Sequence, residues 1–178
     1  MNLIISFSGR ENGNCDQIAK YISSSNDDKI IFFRNMNAHE CGDCKYECFT
    51  SICKYRDDDI YELYGSMCDY DKIYLIVPMY CGNPSSLYFK YNERSQDFFI
   101  HNENSYEIIM KKLYVVGVYG DREKNPEFLA LFEKLFEDTE VKNHVLGIER
   151  HRYGQKIEDD ILDIDKVRVS IDTFVRVN

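Results

Sequence analysis

Short, unbroken apolar runs alternate with longer amphipathic segments, and this alternation constrains the chain more than any other feature. Leu3-Ile4-Ile5-Ser6-Phe7, Ile73-Tyr74-Leu75-Ile76-Val77 and Leu113-Tyr114-Val115-Val116-Gly117-Val118-Tyr119 are too short for core helices. They are also too continuously apolar for strands with one wet face, so they read as strands covered on both sides. Ile30–Phe33 and Asn143–Ile148 complete a set of five. Between them, Cys15–Ser25, Asp58–Cys68, Ser85–Asp97 and Pro126–Glu137 carry apolar residues at helical spacing. The stretch Phe98–Met110 is polar and receives no assignment. The tail Ile157–Val177 has a helical pattern weakened by β-branched residues.

Strands that alternate with helices imply parallel crossovers. Five such units predict an α/β three-layer sandwich around a five-stranded parallel sheet, in the flavodoxin-like order 2-1-3-4-5. The length of 178 residues, without a Pro-, Gly- or Ser-rich linker, fits a single domain over 1–178. In such a sheet, ligands sit beyond the carboxyl ends of the strands at the switch point. The loops after strands one, three and four are therefore where function is expected.

Charge narrows the ligand classes. Asp and Glu number 31 against 22 Lys and Arg, a net charge of −9. That balance disfavours nucleic acid, whose binding starts with phosphate neutralisation, and anionic membrane surfaces. No apolar run approaches a membrane span, and Met1-Asn2-Leu3 lacks a basic leader and cleavage site, so the expected location is cytoplasmic. In a reducing compartment, seven Cys do not form a disulfide framework.

After strand one comes Ser8-Gly9-Arg10-Glu11-Asn12-Gly13-Asn14-Cys15, followed by a helix. Open N–H groups at a helix start bind anions, and Ser8, Arg10 and Asn14 add side-chain donors. The same residues also suit a simple helix cap. The segment is neither a P-loop nor a dinucleotide GxGxxG. After strand three comes Val77-Pro78-Met79-Tyr80-Cys81-Gly82-Asn83-Pro84-Ser85. Pro78 is expected to end the strand, Asn83-Pro84 to cap and begin the next helix, and Tyr80 to wall a planar ligand. An ordinary strand-to-helix turn would also want Pro, Gly and Asn.

The first of these loops resembles the S-P-R-x-x-G-N-[TS] phosphate loop of the NADPH-dependent FMN reductase superfamily, and is most similar to its iron–sulfur flavoprotein branch. Gly9 stands for the usual Pro, and Cys15 for the usual Thr or Ser. The second loop is similar to the family's P-x-Y-x-[GN] stretch, and Leu87–Arg94 to its Lys-Phe-x-[DE]-Arg pattern. The resemblance implies FMN held by Ser8, Arg10, Asn12, Gly13, Asn14 and Cys15 at the phosphate. It implies that Pro78, Met79, Tyr80, Cys81, Gly82 and Asn83 border the ring, with Tyr119 and Gly120 opposite. Tyr119-Gly120-Asp121 corresponds by position more than by sequence.

Cys41, Cys44, Cys48 and Cys53 form C-x2-C-x3-C-x4-C after strand two. A compact run suits a cubane cluster wrapped by one loop, whereas structural zinc usually takes two separated pairs. Free or oxidisable thiols are a third possibility. The iron–sulfur flavoproteins carry a compact four-Cys motif at this position, so the resemblance implies a [4Fe–4S] cluster. The middle spacing here is one residue longer than the family's. Asp57-Asp58-Asp59 reads as a helix start, Glu158-Asp159-Asp160 as a solvated helix face, and Cys68 as core. His39, His101, His144 and His151 receive no role.

The expected function is an FMN-dependent oxidoreductase that takes electrons from NADH or NADPH. In the resembled family, hydride passes from nicotinamide to flavin N5 without a catalytic acid or base. The resemblance implies a homodimer or homotetramer. Two alternatives stay open: an FMN electron carrier served by a ferredoxin-like partner, and a non-enzymatic thiol or metal sensor on the same fold.

Overall fold

The computed structural model describes residues 1–42, 44–120, 126–137, 143–156 and 159–177. The element order is β1 (Asn2–Ser6), α1 (Asn14–Ile22), β2 (Lys29–Phe32), α2 (Asp59–Met67), β3 (Lys72–Tyr80), β4 (Asn83–Pro84), α3 (Ser86–His101), α4 (Glu103–Lys112), β5 (Leu113–Tyr119), α5 (Glu127–Glu133), β6 (Val145–Glu149) and α6 (Asp165–Val177). Short 3₁₀ turns lie at Phe33–Asn35, Glu47–Phe49, Lys134–Phe136, His151–Tyr153 and Ile161–Asp163.

The sheet corrects the five-stranded expectation of order 2-1-3-4-5. Among the described residues it has six strands, in the order β2-β1-β3-β5-β6 with β4 attached to β3. The added strand arises because Cys81 (φ 49°) and Gly82 (φ 80°) both adopt left-handed backbone. Two such residues make the tight turn that reverses a strand with the correct twist. The chain folds back there, pairing Met79 with Pro84 and Tyr80 with Asn83 antiparallel. Asn83-Pro84 is therefore hairpin strand, and Ser85 caps α3 by accepting the Tyr88 N–H. Pro78 does not end β3, which runs on to Tyr80. Pairing with β1 stops at Ile76 and Pro78 sits opposite Val118 of β5, so its missing N–H breaks no bond to β1. All other pairings are parallel. The unassigned stretch holds the end of α3 and all of α4 but its last two residues, Lys111 and Lys112.

Strand alternation splits the core in two. Leu3, Ile5, Phe7, Ile73, Leu75, Val77, Leu113 and Val115 face α2, α3, α4 and α5. Ile4, Tyr74, Ile76, Tyr114, Val116 and Val118 face α1 and α6. On the first side, Phe7 lies 5.1 Å from Phe33 and 5.2 Å from Tyr91, and Tyr64 stacks on Tyr91 at 4.8 Å. Such ring pairs each add about 0.5–1.5 kcal/mol beyond the area they bury. This packing fixes the ends of β1 and β3 against α3, where the ligand loops emerge. Among the described residues, no helix is long and apolar enough to cross a membrane.

Candidate functional site

The loop after β1 is built around Asp16. Its carboxylate accepts the Ser6 hydroxyl at 2.7 Å and the Asn12 N–H at 2.9 Å. It also pairs with Arg34 at 2.9 Å, and Arg34 reaches the Ser8 carbonyl at 3.3 Å. The acid in the first turn of α1 is thus occupied and neutralised, and its charge is withheld from any anion nearby. Asn12 takes a positive φ of 52°, and Gly13 is the N-cap with no side-chain bond of its own. The amides of Asn14, Cys15 and Asp16 have no carbonyl a turn back to bond. Burial holds the Cys15 thiol far above its ordinary pKa, Asp16 adds to this and Arg10 opposes it, so Cys15 is a neutral S–H donor. Ser8 stabilises the loop locally, donating to the Arg10 carbonyl at 2.8 Å and accepting the Arg10 N–H at 3.1 Å.

At the carboxyl ends of the strands, a cavity of about 200 Å³ is lined by Ser8, Arg10, Asn14, Cys15, Pro78, Met79, Tyr80, Val118, Tyr119, Gly120 and Arg150. Nine of these are residues the sequence singled out. Asn12 and Gly13 lie beside it, lining an adjoining space of about 330 Å³ with Arg10, Asn14, Gln17, Asp159 and Asp160. Cys81, Gly82 and Asn83 line neither space; they form the hairpin tip. Asp121 and Glu158 lie outside the described residues. Asp159 and Asp160 are not a solvated helix face: both are half-buried, and Asp160 accepts the Leu162 N–H at 2.9 Å to start a 3₁₀ turn.

Sequence reading missed Val118 and Arg150. The guanidinium of Arg150 has no ion-pair partner among the described residues. It passes over Gly120, where a Cβ would stand 2.8 Å from its Nη2, so the missing side chain at 120 is what admits it. Arg150 directly follows β6. The strand-end rule would have found it had it been applied to the last strand as well.

The second candidate site is the cysteine segment. Cys41, Cys44, Cys48 and Cys53 all line one small space of about 20 Å³, together with Tyr55, Glu93, Arg94 and Asp97. Cys48 is buried, Cys44 and Cys53 are half-buried and Cys41 is exposed. Burial pushes the Cys41 thiol up, with Cys44 and Glu93 adding and Arg94 opposing. Burial does the same at Cys48, with Cys44 and Asp97 adding. Among the described residues, no three His, Cys, Asp or Glu side chains are gathered to hold a single metal ion. His39 stacks on Tyr55 at 4.7 Å.

No family model matches the chain, and no curated protein matches it. Solved structures do resemble it. The Trp repressor binding protein from Bacillus subtilis aligns over 100% of this chain and 99% of its own, at 15% identity and TM-score 0.70. The apo form of the NADH:FMN oxidoreductase EmoB aligns over 99% of this chain and 88% of its own, at 14% identity and TM-score 0.53. The flavoenzyme NAD(P)H:(acceptor) oxidoreductase FerB from Paracoccus denitrificans aligns over 98% and 94%, at 10% identity and TM-score 0.54. At these identities the likeness is one of fold: the chain has a flavodoxin-like α/β architecture along its whole length.

Proposed function

We propose that this chain is an FMN-dependent oxidoreductase that accepts electrons from NADH or NADPH. One observation carries the reading. The phosphate-loop candidate, the ring-wall candidate and two arginines line a single cavity at the carboxyl ends of β1, β3, β5 and β6. The fold likeness to an NADH:FMN oxidoreductase and an NAD(P)H:(acceptor) oxidoreductase supports it.

The donor set fits FMN. Arg10, Ser8, Asn14 and the first-turn amides of α1 would hold the phosphate, with Cys15 as a neutral donor beside them. Met79 and Tyr80 on one side and Tyr119 and Gly120 on the other would flank the ring, and Arg150 would supply positive charge at the β6 end. Bound FMN would supply the exchange between two-electron nicotinamide and one-electron acceptors. The chain's own work is position and electrostatics: Asp16 and Arg34 hold the loop shape, and half-exposed Tyr80 leaves a face open to a second ligand.

The four thiols line one space, and among the described residues no three of them gather about a single point. Thiolates about 2.3 Å from one zinc must crowd together, whereas a cubane separates its ligands by its own width. A [4Fe–4S] cluster on Cys41, Cys44, Cys48 and Cys53 is therefore the reading we take for that segment.

Titration of the purified protein with FMN and with riboflavin, followed by flavin fluorescence, tests the cofactor. Arg10→Ala is expected to weaken FMN about tenfold and riboflavin hardly at all, since only FMN carries the charge. Failure of the wild-type protein to bind FMN would overturn the reading. Steady-state oxidation of NADH or NADPH then separates an enzyme from a carrier. Iron and sulfide assays after anaerobic reconstitution test the cluster, with Cys44→Ser expected to lose iron.

A further inference from the structure

The segment from His39 to Tyr55 has little reason to close on itself. Among its described residues it holds one short 3₁₀ turn, at Glu47–Phe49. Its larger side chains Tyr46, Phe49 and Ile52 point outward, at 75%, 59% and 60% exposure. Bringing its ends together costs loop entropy, of which the stack of His39 on Tyr55 offsets a part. The ends nevertheless meet, and the side chain between them is Arg94 of α3.

Arg94 is 5% exposed and Asp58 3% exposed. The guanidinium donates from Nη1 to the His39 carbonyl at 3.0 Å and from Nη2 to the Tyr55 carbonyl at 2.9 Å. Those two carbonyls bracket all four cysteines. Asp58 pairs with Arg94 and accepts the His39 N–H at 3.0 Å and the Ile60 N–H at 3.1 Å. Three residues along α3, Asp97 accepts the Cys53 N–H at 3.3 Å. It also holds Arg56 through two bonds, at 3.1 and 3.2 Å. Residues three apart share a helix face, so α3 presents both clasps to the cysteine segment.

We infer that Arg94, braced by Asp58, is a positioning residue that closes the cysteine segment into a thiol cage before any metal arrives. The planar fork puts a separate nitrogen on each carbonyl, a geometry that the single ammonium nitrogen of a lysine does not reproduce. The inference rests on reading the four cysteines as one ligand set, but it concerns the metal-free chain and can be tested there.

Phenylarsine oxide serves as the probe, since it forms two As–S bonds with two neighbouring thiols and releases water. Reduced, metal-free, full-length protein would be titrated with it, and the modified thiols mapped by mass spectrometry. The wild type is expected to take one arsenical within residues 41–53. Arg94→Lys is expected to bind it at least tenfold more weakly, with FMN affinity unchanged. A lower melting temperature with unchanged arsenical affinity would show a merely structural role and overturn the inference. Should Arg94→Lys not fold, Asp97→Ala releases the Cys53 N–H together with Arg56 and is expected to weaken binding about threefold; unchanged binding there would also overturn it. Parallel reconstitution with ferrous iron and sulfide separates the two readings. A wild type without iron that still outbinds Arg94→Lys for arsenical keeps the cage and removes the cluster. Equal iron retention by wild type and Arg94→Lys keeps the cluster and removes the clasp.

Discussion

His144 shows what a single side chain can carry outside the candidate sites. It is 2% exposed, stacked between Phe136 at 4.3 Å and Tyr114 at 4.9 Å. Its Nδ1 donates to the Leu113 carbonyl, and its Nε2 is buried with no hydrogen-bond partner among the described residues. Burial lowers its pKa from the ordinary value of 6.5, against the opposing backbone bond. A neutral imidazole is therefore favoured in the fold. Between the folded pKa and about 6.5 the unfolded chain binds the extra proton, so stability rises with pH through that window and is lost as pH falls. Urea midpoints measured between pH 5 and 8 are expected to drop on the acid side. His144→Phe should flatten that drop, and an unchanged slope would assign it to other groups. Gly117 makes a different residue-scale case. A Cβ there would stand 2.6 Å from Leu129 and 2.9 Å from Phe128. Gly117→Ala is expected to cost about 1–3 kcal/mol by overpacking, read as a lower urea midpoint with the m-value unchanged.

At the scale of elements, periodicity located the five long strands and most of the helices, because both depend on which positions are apolar. Their joins were less legible. Asn83-Pro84 has the residues of a helix start, yet it is strand, because two positive-φ residues before it reverse the chain. The cap passes to Ser85, whose hydroxyl also donates to the Phe7 carbonyl at 2.9 Å and so ties the end of β1 to α3. Ser85→Ala would remove a cap and leave a buried carbonyl unpaired. A loss of about 1–3 kcal/mol is expected in denaturant unfolding. The stretch 98–110 escaped assignment because its helical residues are half polar; Phe98 of α3 and Ile109 and Met110 of α4 join the core only once those helices pack on the sheet.

For the whole molecule, the sheet separates what is rigid from what can respond to ligand. β1, β3 and β5 are interior strands covered by two cores, and the cysteine segment hangs outside on α3. Hydrogen exchange is expected to be slowest in peptides covering 3–7, 73–77 and 113–118, and faster over 41–56. Adding FMN should slow exchange at 8–17 and 78–80 while leaving 103–112 unchanged. Protection confined to any other region would place the flavin elsewhere. The same experiment asks whether Arg150 belongs to the site, since its peptide should gain protection with the phosphate loop.

Local order along the chain determined a good deal: an α/β fold, parallel strands, loops worth inspecting after strands one and three, and four cysteines in one short run. These follow from short-range patterns, which hydrophobic periodicity and residue chemistry express directly. The tertiary structure decided what depends on separation closed in space. It brought Arg150 from the last strand to a cavity begun by Ser8 and Arg10. It set Arg94 of α3 between His39 and Tyr55, drawing the cysteines toward one space. An arginine's partners are chosen by which buried carbonyls and carboxylates need its donors, and that is settled only when the helices have packed.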